Sequence, residues 1–544
     1  MDITTAKLLI ENLLDRIELD SSSGKWRLGT ISSKEKQALE IAVQAIGEGG
    51  GAHDPEEPSG DSNIPEQEKA GAHVDLNLRA LEITSPENPE VTLCLDFGTA
   101  MSKAFAMKGY SSPIELALGK KAGVSGYPVD SSVFIADDGL MFFGPQAVAK
   151  GADAAEAGRV RFDSPKARLS MGGQGEIDKM KVGPEINPTE FPFSEGELIT
   201  LYLGYLTDLA TSELESSGFS RYTKRRFARP CWSDERNGWA EPLLRRMLAQ
   251  GQIIADTFHD RWVGGIPASE VKAALNKIRE LAAAPDYLID KGVPEPVAAA
   301  ANLVLRDDAQ RELFLVVDVG AGTTDFGVFL LQHNPDREIC LIRIIPGTIS
   351  YLPQAGNRVD ELLKSYVLDS EGIDPASPEG KHNQAYLQSS IRLHKEAMFR
   401  DGVVEMVLAN HTRVLVEKDV FLSSVRVKAF SKQLEQKFES VLSEVGDGYL
   451  GLMARGKLNV VLTGGGADLP MIQQMAEGII EVKGHKIIRK PSQRTPVWIE
   501  EEYPQFSTQY PQLAVAIGGA TRDLPEMGDS FLDFKGLANQ TYSP

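Results

Sequence analysis

The chain has 544 residues, with 57 Lys and Arg against 77 Asp and Glu, a formal net charge of −20. That length exceeds one ordinary domain, and a composition 42% hydrophobic and 25% charged is that of a folded globular protein. The charge argues against nucleic acid or an anionic membrane surface as a bulk partner, because each would repel it. Cys94, Cys231 and Cys340 lie far apart without a CxxC spacing. This excludes a disulfide framework and a cysteine-rich zinc site, and predicts a reducing, cytoplasmic setting. No run reaches the ~18 apolar residues of a membrane span, and acids interrupt the apolar N-terminal stretch, unlike a signal peptide.

The N-terminus predicts two short helices. Residues 4–18 set Ala6, Leu9, Leu13 and Ile17 on one stripe, and Ser32 with Glu35 forms a capping box ahead of Leu39, Ala42, Ala45 and Ile46. Together they predict a helical appendage over 1–47. An acidic stretch rich in Gly and Pro, 48–75, follows as a flexible linker. The body then divides into 76–310 and 311–522, with a short tail at 523–544.

Residues 91–107, VTLCLDFGTAMSKAFAM, read as an apolar strand ending at Asp96, a tight turn and a second strand. Residues 313–331, LFLVVDVGAGTTDFGVFLL, read the same way around Asp318. Repetition of one supersecondary unit predicts two related halves facing one another. A third segment, 458–479, reads as strand, triple-glycine turn and helix, and further helices are predicted over 197–214 and 360–368. Lys224, Arg225, Arg226 and Arg229 fall together in 223–230. They read as a solvated strand flank, with a patch for nucleic acid or an acidic partner as the alternative. Cys94, Cys340, Trp232, Trp239 and Trp262 read as core residues.

Each hairpin puts a carboxylate at a strand end, followed by Gly and Thr amides that suit phosphate oxygens. These are Gly98 and Thr99 in the first, and Gly320, Gly322, Thr323 and Thr324 in the second. Asp96 and Asp318 suit a hydrated magnesium ion, which keeps its waters and takes few direct carboxylates. The chain has no GxxxxGK[ST] motif and neither turn leads from strand into helix, which argues against P-loop and Rossmann folds. HExxH and GxSxG are missing as well.

Taken in order, these motifs resemble the actin/DnaK-type heat-shock chaperone/sugar kinase ATPase superfamily. Asp96-Phe97-Gly98-Thr99 looks like its first phosphate motif and Asp318 to Asp325 its second. Val460 to Ile472, with Gly464, Gly465 and Gly466, is similar to its adenosine motif. Val293 to Ala300 and Pro511 to Ala520 resemble its two connecting helices. The connector and the stretch around Lys166 lie closest to the heat-shock protein 70 ATPase domain, whereas Lys103 stands where actin carries its phosphate lysine. Lys395 falls in a stretch loosely similar to the second adenosine-contacting helix. Asp468 stands where the chaperones place an arginine that stacks on adenine.

The resemblance implies an α/β, bilobed actin-like ATPase fold, with two ribonuclease H-like lobes (76–310 and 311–522) around a nucleotide cleft. It implies ATP and ADP with Mg²⁺ held, mostly through water, by Asp96, Asp318 and Asp325. Lys166 or Lys103 would balance phosphate charge, and Glu295 would orient the attacking water. The 22 residues that follow Arg522 are too few for the chaperone peptide-binding domain, so none is expected there. The expected function is therefore a slow ATP-hydrolysing switch acting on a protein partner or client, with self-association into actin-like filaments as the alternative and a small-molecule kinase behind it.

Overall fold

The structure, a computed structural model, describes residues 17–20, 25–28, 74–109, 112–155, 158–302, 310–334, 339–388, 390–455, 457–492 and 495–527. The chain forms two compact units, Met1–Lys69 and Ala70–Pro544. In the first, Ile17–Asp20 and Lys25–Leu28 pair as an antiparallel hairpin, with Glu18 opposite Arg27 and Asp20 opposite Lys25. Ile17 and Glu18 thus fall on a strand where the apolar stripe predicts helix. The SSSG sequence between the strands is rich in turn formers and suits a hairpin there. The rest of both predicted helices, and the predicted linker as far as residue 73, lie outside the described residues.

The second unit is mixed α/β and is built on two mixed sheets. One is six-stranded and the other eight-stranded. In the first, Ile289–Pro294, Arg225–Arg229 and Val91–Asp96 run parallel, and Met101–Lys108 and then Ser112–Ile114 continue it antiparallel. In the second, His485–Ser492, Lys457–Thr463 and Gln310–Val319 run parallel, and Thr324–Asn334 and then Ile339–Ile344 continue antiparallel. Numbered along the chain within each half, the five strands named in each sheet have the spatial order 5-4-1-2-3 with the same directions, and the remaining strands differ between the two sheets. The repeat read from the two Asp hairpins is therefore a repeat of a five-strand unit.

Each sheet is covered on both faces, which explains why its central strands read as continuous apolar runs. Leu93 and Leu95 belong to a core with the helices Glu195–Ser216 and Asp234–Thr257, while Cys94 between them faces the opposite way. Leu315 and Val317 belong to a second core with the helices Gly356–Ser370 and Val425–Ser443, while Phe314 and Val316 face away from it. The alternate residues of both sheets share a third core with the helices Glu295–Ala300 and Tyr510–Ala520. The Glu195–Ser216 helix starts at a capping box in which the Ser194 hydroxyl accepts from the Glu197 amide and the Glu197 carboxylate from the Ser194 amide.

Two elements differ from expectation. In the third segment the helix spans only Pro470–Met475; Gly478 (φ +92°) ends it, and the β-branched run after it forms the edge strand Gly478–Val482. In the basic cluster Lys224 is exposed at the strand flank, as expected, but the three arginines are engaged within the fold. Arg225 is fully buried, donates to Gln252 Oε1 at 2.5 Å, and burial pushes its pKa down to about 10. Arg226 donates to the carbonyls of Gly519, Thr521 and Arg522, capping the helix Tyr510–Ala520, and Arg229 pairs with Glu241 at 3.0 Å. Trp232 and Trp262 are core residues, as is Cys94; the Cys340 side chain lies outside the described residues. Among the described residues no helix is long and apolar enough to cross a membrane.

The helices of the shared core meet through glycine. A Cβ on Gly518 would lie 1.8 Å from the Ala298 carbonyl oxygen, and one on Gly519 would lie 2.3 Å from Cys94 Sγ. No rotamer relieves a backbone clash of that size. Gly518→Ala is expected to cost about 1–3 kcal/mol and lower the melting temperature by several degrees; an unchanged melting temperature would contradict this packing.

Candidate functional site

Strand periodicity sets the site. Asp96 lies two residues beyond Cys94, and Asp318 two beyond Val316, so both aspartates face the layer that the two sheets share. They open onto one cavity of about 490 Å³. The first hairpin contributes Asp96, Gly98, Thr99 and Lys103 to its wall; the second contributes Asp318, Gly320 and Thr323. Lys166 and Glu295 line it too, as do Lys395, Gly464, Gly465 and Gly466.

Gly322, Thr324 and Asp325 do not line it. A Cβ on Gly322 would come within 2.9 Å of Thr99 Oγ1, so the two hairpin turns touch there. Thr324 is buried and donates its hydroxyl to the Gln354 carbonyl at 2.8 Å. Asp325 is fully buried; its Oδ1 accepts from the Cys231 amide at 2.7 Å and its Oδ2 has no hydrogen-bond partner. It pairs with Asp318 across the hairpin and so faces the same layer, but it is held against the Cys231 amide and does not line the cavity.

The electrostatics are crowded. Lys103 sits opposite Asp96 in the ladder, with Nζ 3.2 Å from Oδ2. Lys166, only 3% exposed, forms an ion pair with Glu295. Burial works against the Lys166 ammonium, but the carboxylates of Glu295 and Asp96 outweigh it and hold its pKa above the ordinary lysine value. Asp318 accepts from the Thr463 hydroxyl at 2.5 Å, yet burial, and then Glu295, push its pKa up to about 7. The same two causes raise Asp325 well above the usual carboxylate range.

Two lysines therefore face four carboxylates, Asp96, Glu295, Asp318 and Asp325, and an added cation fits this charge excess. Among the described residues no three His, Cys, Asp or Glu side chains converge as a direct ligand set. Magnesium fits such a site when water and phosphate oxygens complete its shell.

Further along the cavity, the triple-glycine turn rests on the second hairpin. The Gly466 amide donates to the Val319 carbonyl at 2.9 Å, and the Gly464 amide donates to the Pro511 carbonyl at 2.7 Å. Gly464 has φ +84°, and a Cβ there would lie 2.4 Å from the Val319 oxygen, so only glycine fits. Lys395 pairs with Asp360 at 2.9 Å and donates to the Gly356 carbonyl. Sequence reasoning missed the neighbours of Lys395. Arg392, Glu396, Phe399 and Arg400 join it on the cavity wall from the helix Ile391–Asp401, and Gln512 joins from Tyr510–Ala520. The signal was present as an i, i+3, i+4 stripe, but a polar one, which reads as a solvated face.

No protein-family model matches the chain, and no curated protein matches it in sequence.

The raised pKa of Asp318 has a consequence for stability. Its native form binds a proton that the unfolded chain releases near pH 4, so ligand-free stability falls as pH rises from about 4 to about 7. Asp318→Asn keeps the acceptor for Thr463 and removes the charge. The variant is expected to melt several degrees above the parent at pH 8, with the gap shrinking towards pH 5. A pH-independent gap in thermal melts would contradict the burial of this carboxylate.

Proposed function

We propose that the chain is a nucleoside-triphosphate-dependent conformational switch with a bilobed, actin-like fold. The observation that carries this reading is the meeting of two Asp hairpins, from two sheets that share a five-strand order, in one cavity with two lysines. A single DxG turn is a common structural element. Two at equivalent positions of duplicated sheets, with their carboxylates facing a shared layer, form a clamp for a polyphosphate and its counter-ion.

The residues take roles that follow from their surroundings. The amides of Gly98, Thr99, Gly320 and Thr323 would hold phosphate oxygens, while Asp96 and Asp318 would hold a magnesium ion through water. The bound ion would supply charge neutralisation for phosphoryl transfer. Asp325, enclosed and bonded to the Cys231 amide, braces the second hairpin against the strand end before Cys231 rather than serving as a ligand. Lys166 and Glu295 act as a pair: Lys166 turns towards the transferring phosphate, and Glu295 accepts a hydrogen bond from the attacking water.

Motion follows from the same layout. The helices Glu295–Ala300 and Tyr510–Ala520 lie between the sheets in glycine contact and offer a slim joint, so a ligand gripped by both hairpins biases the angle between the halves. A protein partner that reads that angle is the expected output, as the resemblance to DnaK-type chaperones implies.

Removing a group that balances charge only in the transition state lowers the rate more than the affinity. Lys166→Ala should slow single-turnover hydrolysis of bound ATP or GTP by ~10²–10³ while changing nucleotide affinity less than about tenfold. Unchanged hydrolysis would remove Lys166 from the mechanism, and failure of the parent protein to bind either nucleotide would overturn the reading as a whole.

A further inference from the structure

The rest of the cavity lining has its own chemistry. One wall is the helix Ile391–Asp401, which presents the Phe399 ring. The cations on that helix are each held by an acid: Arg392 by Glu396 at 3.0 Å, Lys395 by Asp360 at 2.9 Å and Arg400 by Asp401 at 2.8 Å. The same cavity is lined by the exposed Asp468, from the turn after Gly466, and by Gln512.

A ring face suits a stacked base, and the polar groups sort the bases. A carboxylate only accepts hydrogen bonds. Guanine offers two parallel donors, N1–H and the 2-amino group, beside the acceptor O6. Adenine offers one amino group beside a ring nitrogen whose lone pair a carboxylate repels. A carboxylate together with an amide N–H donor therefore satisfies the whole guanine edge, whereas adenine leaves one carboxylate oxygen facing a lone pair.

We infer that this cavity selects a guanine nucleotide, with Asp468 accepting from N1–H and the 2-amino group, Gln512 donating to O6, and the base stacked on Phe399. The inference rests on the nucleotide reading above and departs from the adenine that the resemblance implies. Asp468 is the specificity-determining residue in this arrangement, and it stands where the chaperones that the sequence resembles carry a stacking arginine.

Calorimetric titration of the full-length protein with Mg²⁺ and non-hydrolysable analogues of GTP, ITP and ATP tests it. GTP analogue should bind at least about tenfold tighter than ATP analogue, with ITP analogue, which lacks the 2-amino group, between them. Asp468→Asn should lose that preference by weakening GTP analogue about tenfold, leave ATP analogue within about threefold, and melt like the parent. Phe399→Ala should weaken all three. An ATP analogue bound as tightly as the GTP analogue, or a preference that survives Asp468→Asn, would overturn the guanine assignment and leave the nucleotide reading intact. Binding of none of the three would overturn both.

Discussion

The constraint on which this structure depends is the crowding of carboxylates where the two sheets share a layer. Asp96, Glu295, Asp318 and Asp325 lie in or against one small volume, with Lys103 paired to Asp96 and Lys166 to Glu295. Taking so many acids out of water costs several kcal/mol each unless cations repay it. In the ligand-free chain the repayment is incomplete, and the raised pKa values of Asp318 and Asp325 are its trace. A magnesium–polyphosphate complex would supply both a cation for the acids and anionic oxygens for the lysines and turn amides. Under the proposed function, affinity and stability would draw on the same electrostatic deficit.

Everything else serves to hold those acids in place. A parallel sheet buried on both faces sends alternate residues to opposite layers, so an aspartate an even number of positions from Cys94 or Val316 must face the shared layer. Duplication of the sheet makes two such aspartates face it. The helices between the sheets are kept close by Gly518 and Gly519, and Arg226 ties the end of Tyr510–Ala520 to the first sheet through three backbone carbonyls. That arginine acts as a helix cap, favourable at a C-terminus where unpaired carbonyls concentrate negative charge.

Much of this was legible in the sequence, because the hairpins announce themselves locally. Apolar run, Asp, Gly and Thr is a pattern that only a strand and a tight turn satisfy, and the structure puts nearly all the residues so nominated around one cavity. What the sequence hid depends on distant partners. Arg225 looks solvated until Gln252 is brought to it by the helix Asp234–Thr257. Asp325 looks like a third ligand until the Cys231 amide encloses it. The stripe Arg392, Lys395, Glu396, Phe399 and Arg400 lacks apolar periodicity, so no burial signal marks it as a wall. The helix Tyr510–Ala520 follows the second sheet in sequence yet packs on Cys94 of the first, a crossing that no local pattern encodes.

The central claim is that a ligand held by both hairpins moves the two halves relative to each other. Spin labels at Ala149→Cys, on the exposed face of Pro145–Asp153, and Ser370→Cys, at the exposed end of Gly356–Ser370, report on one half each. Electron–electron distance measurement should show a shorter and narrower distribution with saturating Mg²⁺ and a non-hydrolysable purine triphosphate than without them. Superimposable distributions from protein shown to have bound the nucleotide would contradict the account.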